Sequence, residues 1–268
     1  MAATAAIDGI SFTGSLAVGR KIAATATPNL TKLQMEMGSK NPLVVMDDAD
    51  LDVAANSAAV GAYGGSGQKC TASSRLIVHE AVFDAFVEKM TAATAAMKVG
   101  HALEEGTKIG PVVSALQLES NQSYIRLAKE EGAQHVFGGE ILPGEGYFMS
   151  PALFIGDNDM CINREEMFAP IACVIRAKNY DEAVQLANDT EYGLVSGIIT
   201  RSLARARDFR RRIKTGCVTI NLPTAGTDYH VPFGGRKNSS YGPREQGQAA
   251  AEFYTVVKTA YTHAGRPE

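Results

Sequence analysis

The sequence Gly64-Gly65-Ser66-Gly67-Gln68-Lys69-Cys70-Thr71-Ala72-Ser73-Ser74-Arg75 leads directly into Leu76-Ile77-Val78. The apolar run predicts a buried strand, and the glycines predict a loop whose backbone can approach a ligand closely. Cys70 is therefore expected on an open loop at the start of a strand, where a thiolate is a strong nucleophile. Lys69 is a candidate cation for lowering the pKa of this thiol. A small buried cysteine beside a turn is the competing interpretation.

Strands and helices alternate on both sides of this loop. The pattern predicts strands at 32–38, 43–46, 76–78, 135–137, 152–155, 171–176, 195–200 and 216–221, helices at 81–97 and 114–131, a helix from Asp50 to Tyr63, a helix capped by Asp181, and an arginine-rich helix near 203–213. Alternation of this kind predicts parallel pairing with right-handed crossovers. We expect an α/β fold with a mostly parallel sheet flanked by helices.

The N-terminal segment predicts an anion site. Residues 10–12 resemble the end of a strand, and Thr13-Gly14-Ser15 forms a turn before a helix that starts at Leu16. The free backbone N–H groups and the dipole at a helix N-terminus suit the phosphates of a nucleotide. Many helices that begin with Gly-Ser bind nothing, so this signal is weak by itself.

Glu36 is a candidate general base. It lies between Met35 and Met37 near the end of a predicted strand, and apolar surroundings raise the pKa of a carboxylate toward the range useful for proton transfer. A solvent-facing strand glutamate is the alternative interpretation.

Composition excludes several classes of function. The chain has 268 residues and a net charge of -3, which gives no reason to expect nucleic acid as a partner. Its four cysteines form no C-x-x-C pair, so we expect reduced thiols, no structural metal and a cytoplasmic location. The N-terminus lacks the pattern of a signal peptide, and no apolar run is long enough to span a bilayer.

Two C-terminal segments suggest function and assembly. The loop at 222–242 is long and rich in glycine and proline, and loops of that length in a compact domain are usually functional. Residues 253–262 alternate like a strand but have no partner strand nearby in the sequence. An unpaired edge invites pairing with another subunit, so we expect a homo-oligomer, a dimer or a tetramer.

Five motifs in order resemble the NAD(P)-dependent aldehyde dehydrogenases, and the resemblance runs from Phe12 to about Tyr261. They are Phe12-Thr13-Gly14-Ser15, Glu36-Met37-Gly38-Ser39-Lys40-Asn41-Pro42, Gly67-Gln68-Lys69-Cys70, Glu166-Met167-Phe168-Ala169-Pro170 and Pro232-Phe233-Gly234-Gly235-Arg236-Lys237. The segments at 70–75 and 228–235 are most similar to the branch that oxidises α-ketoglutaric semialdehyde (2,5-dioxopentanoate).

The resemblance implies a mechanism. Cys70 would attack the aldehyde to form a thiohemiacetal, which loses a hydride to the nicotinamide of NAD or NADP and becomes a thioester. Glu36 would activate the water that hydrolyses this thioester. Cofactor contacts would come from Gly14, Ser15, Met37, Gly38, Glu166 and Phe168. For the carboxylate of a dicarboxylic semialdehyde, the candidate partners are Lys69, Arg75 and His230.

The resemblance also divides the chain. Residues 1–38 would be a remnant of the cofactor-binding domain, 39–242 the catalytic domain and 243–268 a C-terminal oligomerisation arm. About half of a typical member is absent, so we expect this chain to be impaired by itself. Ser39 and Ser240 stand where glycine is common, and a positive φ at either would strain the backbone. A cofactor-independent thiol esterase and a non-catalytic oligomerisation module are the alternative functions.

Overall fold

The computed structural model describes residues 1–266. Its strands are β1 (Gly9–Thr13), β2 (Lys32–Glu36), β3 (Asn41–Val45), β4 (Ser73–His79), β5 (Gln134–Phe137), β6 (Ala152–Ile155), β7 (Ile171–Ala177), β8 (Val195–Ile199), β9 (Cys217–Ile220) and β10 (Ser240–Tyr241). Its helices are α1 (Leu16–Ala26), α2 (Leu51–Tyr63), α3 (Phe83–Ala95), α4 (Ala115–Glu130), α5 (Cys161–Arg164), α6 (Tyr180–Asn188), α7 (Leu203–Arg212) and α8 (Ala250–Tyr254).

The larger sheet has seven strands in the order β5-β6-β7-β4-β3-β8-β9. All its neighbours pair in parallel except β5, which is antiparallel to β6. Helices α2 and α3 pack on one face, while α4, α6 and α7 pack on the other. Both faces of the sheet are therefore buried. This explains why its strands are continuous apolar runs, with Leu43 and Val45 facing one layer and Val44 the other.

The predicted α/β fold with a mostly parallel sheet is confirmed, and each strand predicted for the large sheet is present. The predicted cap of α6 is wrong. The side chain of Asn179, not Asp181, accepts the hydrogen bond from the backbone N–H of Glu182 at 3.0 Å. Asp181 lies within the first turn, where its charge suits the positive end of the helix dipole.

A second sheet of three strands has the order β1-β2-β10. Strands β1 and β2 pair in parallel, and the short β10 pairs antiparallel with the end of β2, with Ser240 directly opposite Glu36. Helix α1 covers one face through an apolar cluster that includes Leu33, Met35 and Met37. The sheet therefore joins the N-terminal segment to the end of the long 222–242 loop. The division into three segments stays a prediction.

The predicted strand at 253–262 is wrong where it begins, because Phe253 and Tyr254 belong to α8. The Lys32 ammonium donates to the carbonyl of Phe253 at 3.0 Å, which ties the end of this helix to β2. Residues 255–266 form no strand in the described part of the chain. Val256 and Val257 are over nine-tenths exposed. A strand needs a partner backbone, and this part of the chain supplies none.

Candidate active site

The Cys70 loop connects the end of α2 to the start of β4. Gly65, Ser66 and Gly67 in this loop have φ values of 65°, 60° and 65°, in the left-handed region that favours glycine. A Cβ at Gly67 would lie 2.1 Å from the carbonyl oxygen of Ala169, so only glycine fits there. This tight turn brings the loop against Ala169 of the 165–170 segment.

The side chain of Asn41 holds the Cys70 loop in place through hydrogen bonds. Its side-chain amide donates to the carbonyls of Cys70 at 2.8 Å and Ala72 at 2.9 Å. Its carbonyl oxygen accepts from the Val195 N–H at 3.0 Å and from the Ser39 hydroxyl at 2.6 Å. The sequence reasoning missed this residue. The available signal was Asn41-Pro42, which ends the Glu36 motif and begins β3.

A cavity of about 500 Å³ opens beside the Cys70 loop. It is lined by Thr13, Gly14, Ser15, Met37, Gly38, Cys70, Gln117, Ser120, Tyr124, Glu166, Met167 and Phe168. Seven of the eight predicted site residues therefore meet at one cavity. Ser15 caps α1 by accepting from the Val18 N–H at 3.4 Å, so the N-terminus of this helix borders the cavity.

Glu166 lies in the loop between α5 and β7 and lines the cavity. Its Oε1 accepts from the Ser39 N–H at 2.9 Å, and burial raises its pKa. A Cβ at Gly38 would lie 2.0 Å from Glu166 Oε2, so glycine at this position allows the carboxylate to approach the backbone. Phe168 has a φ of 54° and a side chain that is 40% exposed. Its left-handed backbone presents the ring to the cavity.

Glu36 is the predicted site residue that does not line this cavity. It is 3% exposed, and its Oε2 accepts a hydrogen bond from the Ser240 hydroxyl at 2.7 Å. Its Oε1 is buried and has no hydrogen-bond partner among residues 1–266. Burial raises its pKa to about 7, which is the direction expected for a carboxylate between methionines.

The Cys70 thiol is only partly buried and lines the cavity. Burial, followed by the negative charges of Glu36 and Glu166, raises its pKa to about 11. The suggestion that Lys69 lowers this pKa is therefore wrong. Two carboxylates from distant parts of the sequence act on the thiol, and their effect has the opposite sign.

The structure answers three questions that the sequence left open about individual side chains. Ser39 and Ser240 are absent from the non-glycine residues with positive φ, and Ser240 has a φ of −149°, so neither strains the backbone. Arg75 is fully buried and donates to the Asn158 side chain and the Leu186 carbonyl, both at 2.5 Å. Because its guanidinium is committed inside the core, Arg75 is not available to bind a substrate carboxylate.

Within residues 1–266, no group of three or more His, Cys, Asp or Glu side chains is arranged to hold a metal ion. Across the same residues, the helices lack the length and apolar character needed to cross a membrane.

The model of the aldehyde dehydrogenase family matches residues 1–260 of this chain. The chain belongs to the aldehyde dehydrogenase family. The predicted resemblance to this family is confirmed. A betaine aldehyde dehydrogenase of Rhizobium johnstonii is 41% identical over 260 residues, and the alpha-ketoglutaric semialdehyde dehydrogenase of Bacillus subtilis (strain 168) is 41% identical over 262 residues. That alignment covers 95% of this chain and 53% of the relative.

Solved aldehyde dehydrogenase structures share this fold. The NAD-dependent aldehyde dehydrogenase from Sinorhizobium meliloti superposes with a TM-score of 0.95 at 37% identity, covering 100% of this chain and 53% of that one. The betaine aldehyde dehydrogenase from Staphylococcus aureus, solved in complex with NAD+, gives a TM-score of 0.92 at 33% identity, covering 96% and 52%. The chain thus spans about half the length of the family members it matches.

Proposed function

We propose that this chain carries the catalytic residues of an NAD(P)-dependent aldehyde dehydrogenase that oxidises a dicarboxylic semialdehyde such as α-ketoglutaric semialdehyde to the carboxylate. The observation that carries the proposal is the cavity itself. The partly exposed thiol of Cys70, the half-buried carboxylate of Glu166 and the N-terminus of α1 line the same space, and the buried carboxylate of Glu36 lies outside this lining. Family membership supports aldehyde oxidation as the reaction class.

The charge of the cavity and the groups that line it support a nicotinamide cofactor. Glu36 and Glu166 both raise the pKa of the thiol, so the site is electronegative and favours the positively charged ring of the oxidised cofactor. Ser15 and the free N–H groups of α1 suit a phosphate, while Glu166 suits ribose hydroxyls. Gly14, Met37, Gly38 and Phe168 complete the proposed contacts. NAD(P), when bound, supplies the hydride acceptor.

The reacting groups of the chain have separate tasks in this proposal. The Cys70 thiol gives its proton to the Glu36 carboxylate, which passes it to solvent, as the sulfur attacks the aldehyde carbon. Once that carbon has been oxidised, the same sulfur carries the acyl group as a thioester. Glu36, with a pKa of about 7, accepts a proton from the water that attacks the thioester carbonyl. The backbone N–H of Cys70 donates to the developing oxyanion. Release of the carboxylate then restores the free thiol.

The substrate class rests on the similarity to the semialdehyde dehydrogenase of Bacillus subtilis. The position of Arg75 in the core excludes it as the partner of the substrate's second carboxylate. Lys69 and His230 stay candidates, as does a residue of a segment outside this chain. Lys69 and His230 are both exposed. Replacing each by alanine in turn separates them, since loss of the true partner raises KM for the semialdehyde and leaves KM for an uncharged aldehyde unchanged.

The test combines two assays on the 268-residue chain. α-Ketoglutaric semialdehyde is mixed with NAD or NADP and reduced nicotinamide is followed, and p-nitrophenyl acetate is then tested without cofactor. The proposal expects reduced nicotinamide from the wild-type chain and none from Cys70→Ala. Turnover of the ester alone supports the esterase alternative instead. No turnover in either assay, from a chain that forms a stable oligomer, supports the non-catalytic oligomerisation module.

We also propose a homo-oligomer built through the C-terminal arm, in a cytoplasmic setting. Support comes from the exposed side chains of Val256, Val257 and Tyr261, each over nine-tenths accessible, and from four cysteines that are all free thiols. Light scattering of the chain beside a variant ending at residue 254 tests the assembly. A monomeric wild-type chain would contradict it.

A further inference from the structure

Ser240 and Glu36 form a cross-strand pair in the three-stranded sheet. Ser240 begins β10 and lies directly opposite Glu36 at the end of β2. Both backbones are extended there, so the two side chains extend from the same face of the sheet at close range. Their separation of 204 residues in the chain means that only the fold brings them together.

The hydroxyl of Ser240 is oriented by a second contact. Its oxygen accepts the Gly235 N–H at 2.6 Å, which leaves its single proton free to donate to Glu36 Oε2 at 2.7 Å. Arg244 binds the Gly235 carbonyl and so holds the loop that aims this N–H. A Cβ at Gly234 would lie 2.9 Å from Glu36 Oε1. The carboxylate is thus held against the Gly234–Gly235 backbone, outside the cavity lining.

We infer that Ser240 is a positioning residue, which holds the Glu36 carboxylate in a retracted, ionised state from which it must turn to reach a thioester on Cys70. This inference rests on the proposed function, in which Glu36 is the base for hydrolysis. A hydrogen bond donated to a carboxylate favours its charged form. A glycine at position 240 would supply no such donor.

The surroundings of Glu36 act on its pKa in both directions. Burial raises the pKa of Glu36 and Glu245 raises it further, whereas the Ser240 hydroxyl and Arg244 lower it. Across the site, the charge of Glu36 raises the pKa of the Cys70 thiol. Removing the hydroxyl therefore moves the titration of Glu36 to higher pH, by about one pH unit for a hydrogen bond to a charged group.

A direct titration tests the inference without using catalysis. Side-chain carboxyl carbons of ¹³C-glutamate-labelled protein are followed by NMR across pH, and the signal missing from Glu36→Gln is assigned to Glu36. We expect a midpoint near 7 in the wild-type chain, about one unit higher in Ser240→Ala and Ser240→Gly. Ser240→Thr, which keeps the hydroxyl, should restore the wild-type midpoint.

Ser239→Ala is the matched control. The Ser239 hydroxyl is also buried, but it donates to the Gly38 carbonyl and accepts the Gly193 N–H, both at 2.9 Å. This variant should lose stability without moving the Glu36 midpoint. An unmoved midpoint in Ser240→Ala, or an equal shift in Ser240→Thr, would overturn the inference.

Deacylation adds a readout that separates the two proposals. When Cys70 is acetylated by p-nitrophenyl acetate, the pH at which deacylation reaches half its maximum should rise in Ser240→Ala by the same amount as the NMR midpoint. A shifted NMR midpoint without any acetylation of Cys70 would support the positioning role and contradict the proposed function. Acetylation with an unshifted NMR midpoint would do the reverse.

Discussion

Replacing Asn41 by alanine should loosen the Cys70 loop and lower the stability of the whole chain. The side chain is 1% exposed, and its loss leaves the carbonyls of Cys70 and Ala72 and the N–H of Val195 without their partner. Each unpaired buried group costs about 1 kcal/mol or more, so the expected loss is about 3 kcal/mol. For a domain of this size that lowers Tm by roughly 6–10 °C.

Two measurements check this expectation. Thermal unfolding gives the loss of stability, and the alkylation rate of Cys70 by iodoacetamide reports on the loop. Asn29→Ala is the matched control, because Asn29 is exposed and donates a single bond to the Ala3 carbonyl. Its Tm should change by at most about 1–2 °C. If Asn41→Ala unfolds within 2 °C of wild type, by the same estimate, and alkylates at the wild-type rate, Asn41 does not hold the loop.

Three further outcomes follow from the site. Gly67→Ala should lower the stability by more than about 2 kcal/mol, because φ is +65° and its Cβ would collide with a main-chain carbonyl; equal urea midpoints would contradict this. Gly38→Ala should displace the Glu166 carboxylate and weaken NAD binding, measured by calorimetry, while the fold persists. Unchanged binding would show that Glu166 does not contribute to binding NAD. The alkylation rate of Cys70 should rise with pH, with a midpoint near 11. Glu36→Gln should lower that midpoint, because one negative charge is lost. An unchanged midpoint would show that the charge of Glu36 does not act on the thiol.

The parts of the site encoded by local sequence could be predicted. The glycine spacing around Cys70 reflects a left-handed turn that few other residues tolerate, so the loop could be predicted from the sequence alone. Likewise, the methionines flanking Glu36 indicated an apolar setting, and its pKa is indeed raised. The continuous apolar runs predicted strands that are buried on both faces of a sheet, which is typical of a parallel sheet covered by helices.

The parts that depend on distant pairing could not be predicted. No local pattern indicates that Ser240 will pair with Glu36, since β10 has only two residues and follows a long loop. The pKa of Cys70 was expected to fall because the sequence placed a lysine beside it. In the fold, burial raises this pKa, and the charges of Glu36 and Glu166, which come from distant parts of the sequence, raise it further. The predicted tail strand is wrong where it begins, because Phe253 and Tyr254 lie in α8, and residues 255–266 pair with no strand in the described part of the chain.

The central claim is that the Cys70 sulfur carries an acyl group which Glu36 helps to remove. The most direct measurement is the intact mass of the protein after brief exposure to p-nitrophenyl acetate. The account predicts one added acetyl group on Cys70 that is lost with time in the wild-type chain, persists in Glu36→Gln and never forms in Cys70→Ala. Acetyl groups that form equally in Cys70→Ala, or that leave Glu36→Gln as fast as wild type, would contradict it.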